Sequence, residues 1–271
     1  MKTKLLFKND KIATPKSPLG ETTFGVSQLG VLIKIDTTTS TNFELKKLCS
    51  EQSLHSFSAL VAQKQTSGRG QAGNFWESEP YKNLTFSVVL FPENIPAKQS
   101  FIISLIFSLA VKETLDRYIQ YVSIKWPNDI YYQDKKICGM LIENEITADF
   151  ISSSIIGIGL NVNQEQFISN APNPVSLKQI TNKEYDLDIL LESILNIAKE
   201  KYQQFLSGNI NALYTEYQNS LYRKSGYYTY QDKNGDFQAQ IKTIKEDGTL
   251  VLETPLGEIR NYLFKEVRFI A

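Results

Sequence analysis

The stretch Gln65-Thr66-Ser67-Gly68-Arg69-Gly70-Gln71-Ala72-Gly73-Asn74-Phe75-Trp76 packs three glycines and one arginine into six residues. Its flanks are what constrain the fold. Residues 59–62 and 84–90 are apolar, strand-like runs, so the loop joins strand to strand. A P-loop requires a lysine followed by Ser or Thr after its last glycine, and here Asn74 follows Gly73. A dinucleotide fingerprint runs from strand into helix, whereas Asn74-Phe75-Trp76 heads towards another strand. Both familiar phosphate-binding folds are therefore disfavoured. What remains is a glycine loop on a sheet, able to close bare N–H groups and a guanidinium on an anion. The plain alternative is a surface hairpin loop. Against it stand Arg69 between two glycines and Trp76, whose flat ring can shield a site.

The rest of the chain supplies alternating strands and helices. Residues 31–35 read as a strand, and residues 37–42 as a hydroxyl-rich turn into a helix reaching Gln52, with Thr41 and Glu44 in capping-box spacing. Residues 99–118 form an expected helix that is apolar almost all round, hence buried. Further strands are expected over 122–126, 137–143 and 154–162. Helical spacing returns over 186–206 and stops at Gly208, and a second helix follows to about Leu221. From Gly226 the pattern changes to short alternating strands with turns at Asn234-Gly235, Asp247-Gly248 and Pro255-Leu256-Gly257. That spacing predicts a small SH3-like barrel. The expected organisation is an irregular extension over 1–30, a catalytic domain over 31–222 and the barrel over 223–271.

Three further constellations carry chemistry. In Lys125-Trp126-Pro127-Asn128-Asp129 the proline ends a strand, so Asn128 and Asp129 project from its end. A hairpin brings Lys136, seven residues after Asp129, back to the same place, where it is a counter-charge for a carboxylate or a phosphate. The plain alternative is a turn with solvated charges. In Gly157-Ile158-Gly159-Leu160-Asn161 two glycines weaken an otherwise β-branched strand unless something approaches its backbone closely. A bulge or a bound ring, such as adenine, satisfies that pattern, with Asn161 available to hydrogen-bond.

Bulk properties exclude other classes. Lys plus Arg and Asp plus Glu number 29 each, so no global field gathers nucleic acid or membrane. The only histidine, His55, lies in a polar connection without a partnering nucleophile, and with two dispersed cysteines it excludes a standard zinc site. Cys49 and Cys138 are expected to be reduced thiols. The apolar stretch Leu5-Leu6-Phe7 is too short for a signal-peptide core, and the greasiest run, 101–111, falls short of the ~20 residues of a membrane span. A cytoplasmic location is the expectation.

Taken in order, Ser40-Thr41-Asn42, residues 65–76, Lys125 to Asp129, Lys135-Lys136-Ile137-Cys138-Gly139 and residues 157–163 resemble the biotin protein ligase family over roughly residues 31–271, in a form without an N-terminal DNA-binding domain. The resemblance implies an α/β fold with a central mixed sheet flanked by helices, related to lipoate ligases and class II synthetases, plus the C-terminal barrel. It implies formation of biotinyl-5′-AMP from biotin and ATP with Mg²⁺, then transfer to a lysine of a biotin carboxyl carrier domain. By position, Ser40, Thr41, Gln65 and Arg69 would contact biotin, with Gly68 and Gly159 as backbone or close-approach positions. Lys136 would bridge the biotin carboxylate and the α-phosphate, and Arg69 and Asp129 would join it as catalytic groups, Asp129 where the acceptor lysine arrives. Gly70, Gln71, Asn74, Trp76, Lys125 and Asn161 would line the adenylate side.

The chain departs from the family where Gln71, Ala72 and Asn74 stand in place of a run of arginines. The implied assembly is a monomer or homodimer without nucleic acid or membrane. Lipoate ligases are the alternative enzyme, but their loop pairs two arginines with a triple glycine, unlike Ser67-Gly68-Arg69-Gly70. A non-catalytic carrier-binding module is the alternative outside enzymes, and the presence of Arg69 and Lys136 argues against it.

Overall fold

The computed structural model describes residues 4–5, 30–70, 74–169 and 173–270. The expected extension therefore lies outside the described residues, except for Lys4, Leu5 and Gly30. Eight strands form one sheet, β1 (Lys4–Leu5), β2 (Leu32–Thr38), β3 (Ser58–Gln65), β4 (Leu84–Leu90), β5 (Val122–Lys125), β6 (Asp129–Tyr132), β7 (Lys135–Thr147) and β8 (Phe150–Leu160). Their order is β1-β2-β3-β4-β8-β7-β6-β5. Only β2 and β3 pair in parallel, across helix α1 (Thr41–Glu51), so the sheet is mixed as expected.

Both faces of the sheet are covered, and the two-residue period of the strands sorts side chains between them. On β4, Leu84, Phe86, Val88 and Leu90 join the large core, while Val89 joins a smaller one with Leu45 of α1 and Leu60. That double burial explains why β4 is mostly apolar on both faces, with only Thr85 and Ser87 between its large side chains. The large core is built on helix α2 (Phe101–Asp116), which is buried almost all round. Packed on it are α4 (Leu187–Leu206) and α5 (Ile210–Asn219), after the short α3 (Leu177–Thr181). At the start of α4, Asp186 accepts hydrogen bonds from the Asp188 and Ile189 amides at 2.8 and 3.3 Å. Asp186→Ala should cost about 1 kcal/mol of stability, measured by urea denaturation, with no change in ligand affinity.

The C-terminal strands β9 (Tyr228–Asp232), β10 (Gly235–Ile244), β11 (Leu250–Glu253), β12 (Ile259–Tyr262) and β13 (Arg268–Phe269) form a second antiparallel sheet, consistent with an SH3-like unit. It is fastened to the first by Trp126, whose Nε1 donates to Gly248 O at 2.8 Å, and by the Tyr214 hydroxyl, which donates to Glu246 O at 2.9 Å.

Three expectations need correction. The helix expected over 99–118 begins only at Phe101, after a 3₁₀ turn Ala97–Gln99, and ends at Asp116. Strand β6 was not foreseen, because Asp-Ile-Tyr-Tyr is too short to show a period. The Thr41/Glu44 capping box does not form: Ser40 is the N-cap and makes no side-chain cap bond. The Thr41 hydroxyl instead lies 2.7 Å from Ser87 Oγ. The hydroxyls at this helix start turn inward rather than onto the helix end.

Candidate active site

A cleft of about 670 Å³ opens where the N-terminus of α1 meets the sheet. Its position follows from glycines on β8, flanked in register by Ser87 and Thr85 on β4 and, at one row, by Gly139 on β7. Ser87 on β4 faces Gly157 on β8, which faces Leu141 on β7. One row on, Thr85 faces Gly159, which faces Gly139. The glycines leave a depression in the sheet, and the protein's own side chains enter it. A Cβ at Gly157 would lie 2.2 Å from Asn42 Oδ1, and one at Gly159 would lie 2.3 Å from Trp76 Cε2. The sequence left a bulge or a bound ring open at that strand; the ring that lies against Gly159 here is the Trp76 indole.

At the floor, Ser40, Thr41 and Asn42 are all buried. The Thr41 amide donates to Gln65 Oε1 at 2.8 Å, which ties the start of α1 to the end of β3. Asn42 Nδ2 donates to Leu141 O at 3.2 Å and to Glu143 Oε2 at 2.6 Å. Beyond Gln65 the glycine loop begins and ends in a bridge between Arg69 and Phe75, with the Trp76 amide donating to Gly68 O at 3.0 Å. Gly68 is buried behind the wall, where a Cβ would lie 2.6 Å from Trp76 O. Gln71 lies outside the described residues.

The β6–β7 hairpin brings Lys136 to Asp129, Nζ to Oδ1 at 2.8 Å. The shift in register between Ile130 and Tyr131 sets Lys136 opposite Tyr131, next to the strand end that carries Asp129. The Lys136 ammonium also stands 6.0 Å from the Trp76 ring centre. Lys125 donates to the Tyr131 hydroxyl at 3.0 Å. Burial holds its ammonium below the ordinary lysine value, against the opposing charge of Asp129. Cys138, beside this group, is fully enclosed, and burial pushes its thiol well up, so it is an inert core residue.

The lining includes Ser40, Thr41, Gln65, Arg69, Gly70, Asn74, Trp76, Lys125, Asp129, Lys136, Gly159 and Asn161, so the structure brings together the described site candidates other than Gly68. Two buried polar atoms in this wall, Trp76 Nε1 and Asn161 Oδ1, have no partner among the described residues. One is a donor and the other an acceptor, and neither has exposed surface of its own.

Sequence reasoning missed two parts of the wall. Glu77 accepts from the Ile168 and Ser169 amides at 2.9 and 2.8 Å, pinning a segment that brings Phe167 and Ser169 to the cleft. Burial acts to raise the Glu77 carboxyl, but these hydrogen bonds outweigh it and hold it below its ordinary value. From the C-terminal sheet come Phe264, Lys265, Val267, Arg268 and Phe269. Five cationic side chains, Arg69, Lys125, Lys136, Lys265 and Arg268, thus face two carboxylates, one spent on Lys136 and one on backbone amides. The cleft suits an anion with a polar, uncharged end placed on its floor.

Residues 32–161 match the family model described as Biotin/lipoate A/B protein ligase family. Among characterised proteins, the bifunctional ligase/repressor BirA of Bacillus spizizenii is 30% identical over 205 residues, 73% of this chain and 62% of that one. The biotin–[acetyl-CoA-carboxylase] ligase of Mycobacterium tuberculosis is 31% identical over 109 residues, 39% of each chain. This chain thus spans about 62% of the length of its Bacillus relative. Among solved structures, a biotin protein ligase from Aquifex aeolicus in complex with biotin and ATP superposes with a TM-score of 0.72 at 29% identity, over 88% of this chain and 99% of that one. The family match spans the strands that carry the floor, the glycine loop and the Lys136–Asp129 pair, so residues 32–161 carry the domain described by the biotin/lipoate A/B protein ligase family model.

Proposed function

We propose that this protein is an ATP-dependent biotin–protein ligase, acting on a lysine of a biotin carboxyl carrier domain. The observation that carries the reading is one cleft with a neutral hydrogen-bonding floor, a Lys136–Asp129 pair at 2.8 Å beside it and a cationic mouth. Biotin has matching parts: an uncharged cyclic urea at one end and a carboxylate at the other. The floor of Ser40, Thr41 and Gln65 takes the urea, while Gly68 and Gly159 give room to Trp76, which walls the cleft beside it. Arg69 and Lys136 face the carboxylate.

The carboxylate oxygen attacks the α-phosphorus of ATP, a P–O bond forms, and pyrophosphate departs with the broken bond's electrons. Two anions must meet for this, so the protein's task is to mask charge and fix geometry rather than to supply a nucleophile. Lys136 does so between carboxylate and α-phosphate, with Arg69 on the other side. Gly70, Gln71, Asn74, Trp76, Lys125 and Asn161 hold the nucleotide end, and Asn161 Oδ1 is an acceptor without a partner among the described residues. Mg²⁺ bound with ATP would mask phosphate charge. Among the described residues no three His, Cys, Asp or Glu side chains gather as a metal cage. The carrier's lysine amine then attacks the acyl carbonyl, AMP leaves, and Asp129 stands where that amine must lose its proton. The reaction belongs to the cytoplasm, where ATP and the carrier meet.

Labelled biotin incubated with the protein, ATP, Mg²⁺ and an apo carrier domain should appear on the carrier lysine, with AMP and pyrophosphate released. Labelling by lipoate or octanoate but never by biotin, at saturating ATP, would sink the assignment.

A further inference from the structure

The turn that presents Asp129 is held from behind by two helices. Lys125 and Asp129 face each other in register on β5 and β6, so only residues 126–128 join them. Any rotation of that turn moves both charged groups in the cleft. Pro127 has no N–H, so its carbonyl is the only backbone group by which it can be hydrogen-bonded. Two hydroxyls take hold of it. Tyr217 of α5 donates to Pro127 O at 2.8 Å, and Ser104 of α2 donates to the same oxygen at 3.1 Å.

Packing alone explains neither donor. Ser104 interrupts the apolar run 101–111, and its hydroxyl leaves its own helix for the turn. Tyr217 is fully enclosed, where a phenylalanine would fill the same space without needing a partner. Its ring stands edge-on to Phe101, with 5.4 Å between centres, which fixes the direction of the hydroxyl. Burial pushes the phenol well above its ordinary value, so it remains a donor at any working pH. Neither residue lines the cleft. A held carbonyl fixes the plane of the peptide that leads from Pro127 to Asn128. Asn128 is itself buried and donates through Nδ2 to Met140 O at 3.1 Å, so the chain enters Asp129 from a clamped position.

We propose that Tyr217 and Ser104 are positioning residues for acyl transfer: through the Pro127 carbonyl they hold Asp129 where the carrier's amine must lose its proton. The inference rests on the ligase reading of the cleft and adds what keeps its base in place. In that step the amine nitrogen bonds to the acyl carbon, the bond from that carbon to the phosphate oxygen breaks, and AMP leaves with its electrons. The amine's proton passes to the Asp129 carboxylate, which meets it only while the turn is held. A carbonyl oxygen has two lone pairs and is satisfied by either hydroxyl alone. The two grips are therefore redundant, and only their joint loss frees the turn.

Transfer from added biotinyl-5′-AMP to an apo carrier domain tests this on the full chain, beside biotin calorimetry. Tyr217→Phe and Ser104→Ala should each stay within about threefold of wild type, because one donor remains. The double variant should transfer about tenfold to a hundredfold more slowly, at a carrier KM within about threefold. Its biotin affinity should be unchanged, and so should release of the bound adenylate to hydroxylamine, a nucleophile already unprotonated at neutral pH. A general fold defect would not spare those two readouts. Four results overturn the proposal while the ligase reading stands: wild-type transfer by the double variant, a loss of about tenfold in either single variant, a parallel fall in every readout, or a double variant that does not fold. Wild type that cannot move biotin from the adenylate to the carrier overturns the ligase reading, and the proposal with it.

Discussion

Lys136→Ala should lower biotin-dependent pyrophosphate exchange at least about a hundredfold and leave the fold intact. The side chain of Lys136 is only partly buried, so truncation opens no cavity in the core. What it removes is the ammonium paired with Asp129 at 2.8 Å. Two effects then act in the same direction. The developing charge at the α-phosphate loses a preorganised cation, worth about 3 kcal/mol, and each 1.36 kcal/mol is about tenfold in rate. Asp129 also becomes an unpaired negative charge facing two incoming anions, which opposes binding. Exchange of labelled pyrophosphate into ATP, read beside a urea melt of the same variant, separates chemistry from folding. A folded variant that keeps more than about a third of wild-type exchange removes Lys136 from the catalytic set.

Lys136 and Asp129 were legible because their meeting depends only on a short hairpin. Pro127 ends one strand, Asp129 opens the next, and seven residues after Asp129 the lysine is back. The glycine loop was legible for a similar reason: composition alone marks where backbone must come close to something. What came close was less legible. Gly157 and Gly159 announced a close approach in one strand, but the groups that fill it, Asn42 and Trp76, lie over 80 residues earlier in the chain. A signal for Asn42 did exist. Thr85 and Ser87 interrupt a fully buried, mostly apolar strand, and a buried hydroxyl needs a partner; Ser87 finds one in Asn42. The C-terminal contribution had no local signal. Phe264, Lys265 and Arg268 reach the cleft because Trp126 packs against Phe264, with rings 6.1 Å apart, and bonds to Gly248. No period or spacing in residues 226–271 encodes that docking; it follows from how the two sheets pack.

Gly159→Ala should be nearly as damaging as loss of the lysine, although it removes nothing. The added Cβ would stand 2.3, 2.5 and 2.6 Å from Cε2, Nε1 and Cζ2 of Trp76, inside any real contact distance. The indole is a rigid plane, so it cannot bend a terminal atom aside; the ring must leave. It cannot slide towards β7, where Gly139 already sits so close that a Cβ there would lie 3.1 Å from Cζ3 of the same ring. The direction left is outward, away from Lys136 and into the cleft where the nucleotide belongs. Misplacement of a wall group by about 1 Å can cost about a hundredfold in rate, and here the displaced group also occupies ligand space. The protein has two tryptophans, and Trp126 is held by its bond to Gly248, so emission changes report Trp76. The variant should show red-shifted emission, weakened ATP binding and loss of pyrophosphate exchange, with biotin affinity less affected because the floor at Thr41 and Gln65 is untouched. Trp76→Phe in the same background gives the smaller ring room to stay and should recover part of the exchange. Unshifted emission together with wild-type exchange in Gly159→Ala would show that the indole has another place to go, and that Gly159 is a bulge position rather than the seat of the cleft wall.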